Sequence, residues 1–125
     1  MAILGTALVT GASRGIGRAI ACRLSQDGFV VAINDLPSQK SQLEEVQALI
    51  TQQGRKALTA FADVSVENEV IKMIETVVEQ TGGLDIVRAH DTLIMPGLNC
   101  HIHVVFRWSL MREYVFLQQV SLTVR

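Results

Sequence analysis

A glycine-rich stretch, Thr10-Gly11-Ala12-Ser13-Arg14-Gly15-Ile16-Gly17, stands between an apolar run (Ala7, Leu8, Val9) and residues at helical spacing (Ile16, Ala19, Ile20, Leu24). Glycines between a strand and a helix cradle phosphates, because bare backbone N–H groups and the positive helix N-terminus converge there. Gly11 can make the tight turn out of the strand. Gly15 has no side chain to block a pyrophosphate, and Gly17 lets the helix pack close to the sheet. The expected elements on either side are a strand over 3–9 and a helix over 15–27. Ile16, Ala19, Ile20 and Leu24 are expected to face the sheet, Arg18 to face water, and Gly28 to end the helix in the left-handed region. Cys22 reads as a small packed residue, since nothing nearby would lower its pKa.

The spacing is Gly-x-x-x-Gly-x-Gly, and TGASRGIG entered through Thr10 resembles the short-chain dehydrogenase/reductase family. The resemblance implies a Rossmann-like fold and a nicotinamide dinucleotide at this loop, held by Gly11, Ser13, Arg14, Gly15, Ile16 and Gly17.

The chain downstream repeats the strand-then-helix alternation. Phe29-Val30-Val31-Ala32-Ile33 is continuously apolar and reads as a strand buried on both faces, hence parallel. It ends at Asn34-Asp35. Asp35 stands 18 positions past Gly17, the last loop glycine, near the place where an acidic residue hydrogen-bonds the adenosine ribose hydroxyls. It could also be a turn carboxylate before Pro37; the loop upstream favours the ribose role. A carboxylate there repels a 2′-phosphate and so favours NAD over NADP. Arg14 pulls the other way, because in some members of the resembling family a basic loop residue reaches that phosphate.

A second helix is expected over 38–53, with Leu43, Val46, Leu49 and Ile50 as its stripe and Gly54 closing it. A third strand follows over 56–61, ending at Ala62-Asp63-Val64. In the resembling family an Asp and a hydrophobic residue here contact the adenine ring, which assigns Asp63 and Val64 to the cofactor. Asp63 could equally be a helix-entry residue, with Ser65 as N-cap and Glu67 and Glu69 at the positive end. The third helix, 66–81, carries Val70, Ile71, Ile74, Val77 and Val78, and Gly82-Gly83 stops it. Leu84-Asp85-Ile86-Val87 begins a fourth strand, and GGLDIV again looks like the family. Right-handed crossovers place these strands in a parallel α/β sheet of order 3-2-1-4, part of a doubly wound Rossmann-like fold.

The pattern changes after Val87. The family continues into an Asn-Ala-Gly turn, whereas this chain reads Arg88-Ala89-His90-Asp91-Thr92. Arg88 would put a charge into a strand end that should be buried. The family's proton transfer needs a Tyr with a Lys one helical turn later and a Ser to position the carbonyl. Here Tyr114 is followed four positions on by Gln118, and Lys40, Lys56 and Lys72 all precede it. An amide cannot bring a phenol's pKa of about 10 toward neutrality. No catalytic residue is assigned. The two expected segments are therefore 1–87, which binds the dinucleotide, and 88–125, a tail that is not family sequence and arises by intron read-through or a frame shift. The first covers about the first third of a typical family member. An intact relative would transfer hydride between nicotinamide and a small ketone or secondary alcohol, and the segment looks most like diacetyl/acetoin-type reductases. This chain is expected to be inactive. The alternatives are a non-catalytic nucleotide-binding or interaction module using Trp108, Tyr114 and Phe116, or a product that does not fold stably because the fourth strand is left as an open edge.

In the tail, 93–95 and 102–106 could be short strands and 108–122 a helix with a poor stripe. Cys100-His101-Ile102-His103 has the composition of a metal cluster but no set of four ligands, so no metal is assigned. With 11 basic and 12 acidic residues the chain has no field to attract nucleic acid or an anionic membrane. Cys22 and Cys100 do not pair in a C-x-x-C, which fits a reducing compartment. Residues 1–9 lack a basic leader region, and no apolar run reaches membrane-span length. The expectation is a cytoplasmic protein without a membrane segment. A family-type oligomer is not supported, because the helices through which relatives associate are missing.

Overall fold

The computed structural model describes residues 3–89 and the backbone of a strand at 104–107. The strand and helix segments alternate as the apolar patterning requires. β1 (Gly5–Val9), α1 (Gly15–Asp27) and β2 (Phe29–Asp35) are followed by a 3-10 turn at Pro37–Gln39. Then come α2 (Lys40–Gln52), β3 (Ala57–Phe61), α3 (Glu67–Thr81), β4 (Ile86–Ala89) and β5 (Val104–Arg107). The sheet order is β3-β2-β1-β4-β5. β1 runs parallel to β2, from Gly5 opposite Phe29 to Val9 opposite Ile33, and β4 joins its other side with Val9 opposite Arg88. Each crossover helix returns the chain to the same end of the sheet, so β1 to β4 run parallel.

Strand alternation divides the core into two layers. Val9, Val31 and Ile33 pack with Ala21 of α1 and with Leu43, Val46 and Ile50 of α2. Leu8 and Ala32 face the other way, onto Met73 and Val77 of α3 and Leu84. β2 is covered on both faces, which is why Val30 to Ile33 can be continuously apolar. Burying each of Leu8, Ile33, Leu43 and Ile50 contributes about 2 kcal/mol.

The helix faces differ in part from expectation. In α1 the inner residues are Gly17, Ala21 and Ser25, with Ile20 and Leu24 packed beside them; Ile16 is 60% exposed and Ala19 also faces outward. Ile16 stands in the first turn of α1, next to the exposed Arg14 and Gly15 of the loop. Small inner residues let the remaining turns lie close to the sheet, and Ser25 satisfies its buried hydroxyl by donating to the Cys22 carbonyl at 2.7 Å. Cys22 is half-buried and packed against the α1–α2 core, as expected of a structural thiol. Leu49 of α2 lies at the surface rather than in the stripe, and Met73 enters the α3 face beside Val70 and Val77. Gly28 ends α1 in the left-handed region at φ 109°, and its N–H donates to the carbonyls of Leu24 and Ser25.

Two expectations at chain turns are corrected. Ser65 is not the N-cap of α3; Val66 is, without a side-chain cap bond. The Ser65 hydroxyl instead donates to the Asp63 carboxylate, a charged acceptor two residues upstream. β4 is not left as an open edge. β5 pairs with it in antiparallel register, from Ile86 opposite Arg107 to Ala89 opposite Val104. This strand overlaps the expected 102–106 segment and ends one residue beyond it; the expected strand at 93–95, the helix at 108–122, and Cys100, His101 and His103 lie outside the described residues. Arg88 does bring charge into the strand: its Nε is enclosed without a hydrogen-bond partner. Among the described residues no helix is long and apolar enough to cross a membrane, and no group of three His, Cys, Asp or Glu side chains could hold a metal.

Candidate functional site

The order of strands reverses between β1 and β4: β1 leads to β2 and β3 on one side, whereas β4 lies on the other. In open α/β sheets the crevice at the carboxyl ends of the strands, at such a reversal, is where ligands bind. The glycine-rich loop leaves β1 at that point. It is tied to both neighbours: the Thr10 N–H donates to the Arg88 carbonyl at 3.0 Å, and the Ala12 N–H donates to the Asn34 carbonyl at 2.9 Å.

The loop is shaped by two of its glycines in different ways. Gly15 has φ +60° and is exposed, and a Cβ placed there would meet no atom within 4 Å, so the space above its backbone is open. Gly17 is buried in the first turn of α1, and a Cβ there would strike the carbonyl oxygen of Gly11. The third glycine therefore admits the close approach of helix to loop, as well as helix to sheet. Arg14 occupies the N-cap position in extended conformation with no side-chain cap bond, and the first turn of α1 contains no acidic residue. The helix start thus keeps its N–H groups and positive end for an external anion. Open space over Gly15, an uncapped helix start and a half-buried carboxylate nearby together fit a diphosphate linked to a ribose.

That carboxylate is Asp35 at the end of β2. Its Oδ2 accepts from the Ser13 hydroxyl at 2.5 Å and from the Ser13 N–H at a longer 3.4 Å. Its Oδ1 accepts from the Leu36 N–H at 2.8 Å. Ser13 is buried, while Arg14 and Ile16 are exposed at the loop's outer face. The structure therefore brings Gly11, Ser13, Arg14, Gly15, Ile16, Gly17 and Asp35 into one region.

Asp63 and Val64 follow β3, next to β2 in the sheet, and both are partly exposed. Asp63 accepts from the Ser65 N–H at 2.9 Å and from its hydroxyl at 2.5 Å, which holds its carboxyl below the ordinary value of 3.8. The Ala62 N–H donates to the Asp35 carbonyl at 3.2 Å, linking the two strand ends.

One residue that supports the site was not singled out from the sequence. Asn34 is buried, and its Nδ2 donates to the carbonyls of Ala60 at 2.9 Å and Ala62 at 3.2 Å. Its backbone carbonyl meanwhile holds Ala12. It fastens the loop, the end of β2 and the end of β3 together. A polar amide closing an otherwise apolar run was the available signal.

Comparison with known proteins agrees with this geometry. The family model described as short chain dehydrogenase matches residues 5–93. A short-chain dehydrogenase/reductase of Armillaria gallica is 57% identical over 81 residues, covering 65% of this chain and 31% of that protein. A dehydrogenase/reductase structure from Sinorhizobium meliloti 1021 superposes with a TM-score of 0.67 at 38% identity, covering 70% of this chain and 34% of that one. A metagenomic short-chain oxidoreductase solved in complex with NADP gives a TM-score of 0.62 at 31% identity, covering 66% of this chain and 37% of that one. The chain thus spans about a third of the length of these relatives. With the match running from β1 past β4, the chain belongs to the short chain dehydrogenase family.

Proposed function

We propose that this chain carries the adenosine and diphosphate half of a nicotinamide dinucleotide site, and that NAD suits it better than NADP. The observation that carries the reading is Asp35 hydrogen-bonded to the glycine-rich loop through Ser13. The N–H groups at the start of α1 would hold the diphosphate, with Gly15 leaving room for it. Asp35 would accept from a ribose hydroxyl, and Asp63 and Val64 would border the adenine. A fixed carboxylate at the ribose repels a 2′-phosphate. Arg14, exposed in the loop, favours the second reading, NADP, as does the NADP in the metagenomic relative.

The nicotinamide of such a cofactor supplies hydride chemistry. In full-length relatives we read that chemistry as directed at a small ketone or secondary alcohol, of the diacetyl or acetoin type. Residues 1–125 contain no Tyr-x-x-x-Lys, since Tyr114 is followed at the fourth position by Gln118. The proposed role of this chain is therefore binding without turnover.

The test is a thermal melt of the chain with NAD and with NADP, followed by an assay of NADH-dependent diacetyl reduction. Ligand at 100 times its Kd adds about 2.7 kcal/mol to the folded state. A rise in Tm that is larger with NAD, and no turnover, is the expected result. A Tm unmoved by either nucleotide would refute the binding reading, and measurable turnover would refute the second part.

A further inference from the structure

We propose that Ser13 is a positioning residue whose hydroxyl fixes the Asp35 carboxylate toward the ribose and thereby sets the penalty on a 2′-phosphate. The inference rests on the nucleotide reading above. Ser13 is only 2% exposed, and its hydroxyl donates to Asp35 Oδ2 at 2.5 Å. Asp35 is held at its other oxygen by the Leu36 N–H at 2.8 Å. With a donor on each oxygen, the carboxylate cannot turn about its Cβ–Cγ bond without breaking a charge-assisted bond. Each carboxylate oxygen has roughly two acceptor directions, so these donors leave capacity for a ribose hydroxyl.

A fixed acceptor and a free one treat the two nucleotides differently. For a 2′-hydroxyl, a carboxylate already in place spares the cost of ordering it on binding. For a 2′-phosphate, the same carboxylate is a negative charge that cannot swing away. Loss of the Ser13 hydroxyl leaves Oδ2 with only the longer Ser13 N–H bond of 3.4 Å, so that side of the carboxylate is held less firmly. NAD then loses a preset acceptor, and NADP loses a fixed repulsion. The two affinities move in opposite directions, whereas a simple defect in loop folding would weaken both.

The experiment measures Kd for NAD and for NADP by calorimetry on the 125-residue chain. The forms compared are the unaltered chain, Ser13→Ala and Ser13→Thr, and Asp35→Asn with and without Ser13→Ala. The ratio of the NADP Kd to the NAD Kd is expected to fall about tenfold in Ser13→Ala, the size of one hydrogen bond to a charged group. Ser13→Thr, which keeps the hydroxyl, is expected to hold the ratio. In the Asp35→Asn background, adding Ser13→Ala should leave the ratio where it was. Ser13→Cys, of similar size and a weaker donor, serves the comparison if the alanine variant does not fold; its ratio should also fall. An equal weakening of both nucleotides, or a fall of the same size without the Asp35 charge, overturns the inference and leaves the nucleotide reading standing. If the unaltered chain binds neither nucleotide, the reading fails and this inference fails with it.

Discussion

Gly17→Ala sets two effects of known sign against each other. The position lies inside α1, where replacing glycine by alanine ordinarily stabilises a helix by about 1 kcal/mol. Here the added methyl would press on the Gly11 carbonyl oxygen, with the Gly11 carbonyl carbon at 2.8 Å and the Ala12 Cα at 3.2 Å. All three neighbours are backbone, so no side chain can rotate aside. The loop they belong to is pinned by the Thr10–Arg88 and Ala12–Asn34 hydrogen bonds, so it cannot retreat without breaking one of them. Overpacking of a rigid site costs about 1–3 kcal/mol, and the upper end applies where only backbone can yield. Subtracting the helix gain leaves a net loss of about 2 kcal/mol. At roughly 4 °C per kcal/mol for a chain of this size, Tm falls by about 8 °C. Gly15→Ala is the control: it meets no atom, but its φ of +60° costs about 1 kcal/mol. Urea unfolding followed by far-ultraviolet circular dichroism ranks the three forms. The expected order is unaltered chain, then Gly15→Ala, then Gly17→Ala. A Gly17→Ala chain as stable as the unaltered one would show that the loop has room to move, and the account of the close approach would be wrong.

Two further substitutions address the strand ends. Asn34→Ala removes both amide bonds to the Ala60 and Ala62 carbonyls inside a buried site, and urea unfolding is expected to show a loss of about 2 kcal/mol. Asp63 has its folded pKa depressed by Ser65, so its contribution to stability is present above the ordinary value of 3.8 and is lost as pH falls through the lower folded value. Unfolding curves taken between pH 6 and pH 2 should therefore show Ser65→Ala less stable than the unaltered chain at the upper end, with the gap closing toward the acid end; a gap independent of pH would refute that coupling.

The sheet order was legible because each strand candidate was a short apolar run and each connection was long enough to hold a helix. The loop residues and Asp35 were legible because glycine spacing and a carboxylate at a strand end are local features of sequence. The inner face of α1 was less so: periodicity ranks Ile16 above Gly17, yet close packing selects the smaller side chain for the inside. Asn34 was missed because its role depends on two carbonyls more than twenty residues away, and no local pattern encodes that reach. The pairing of β5 onto β4 was equally out of reach, since antiparallel closure of a parallel sheet is decided by which strand meets the free edge.

The central strand has a consequence for how the molecule comes into being. β1 is made well before β4, yet it acquires its second neighbour only with that strand: the Thr6 N–H meets the Asp85 carboxylate across a separation of 79 residues, and the Asp85 N–H returns to the Thr6 carbonyl. Contacts so distant along the chain are slow to form, because closing a long loop precedes any reward from it. The glycine-rich loop is anchored on one side by that same late strand, through Thr10 and Arg88. During synthesis the glycine-rich motif is therefore complete in sequence long before the strand that anchors it at Thr10 has been made.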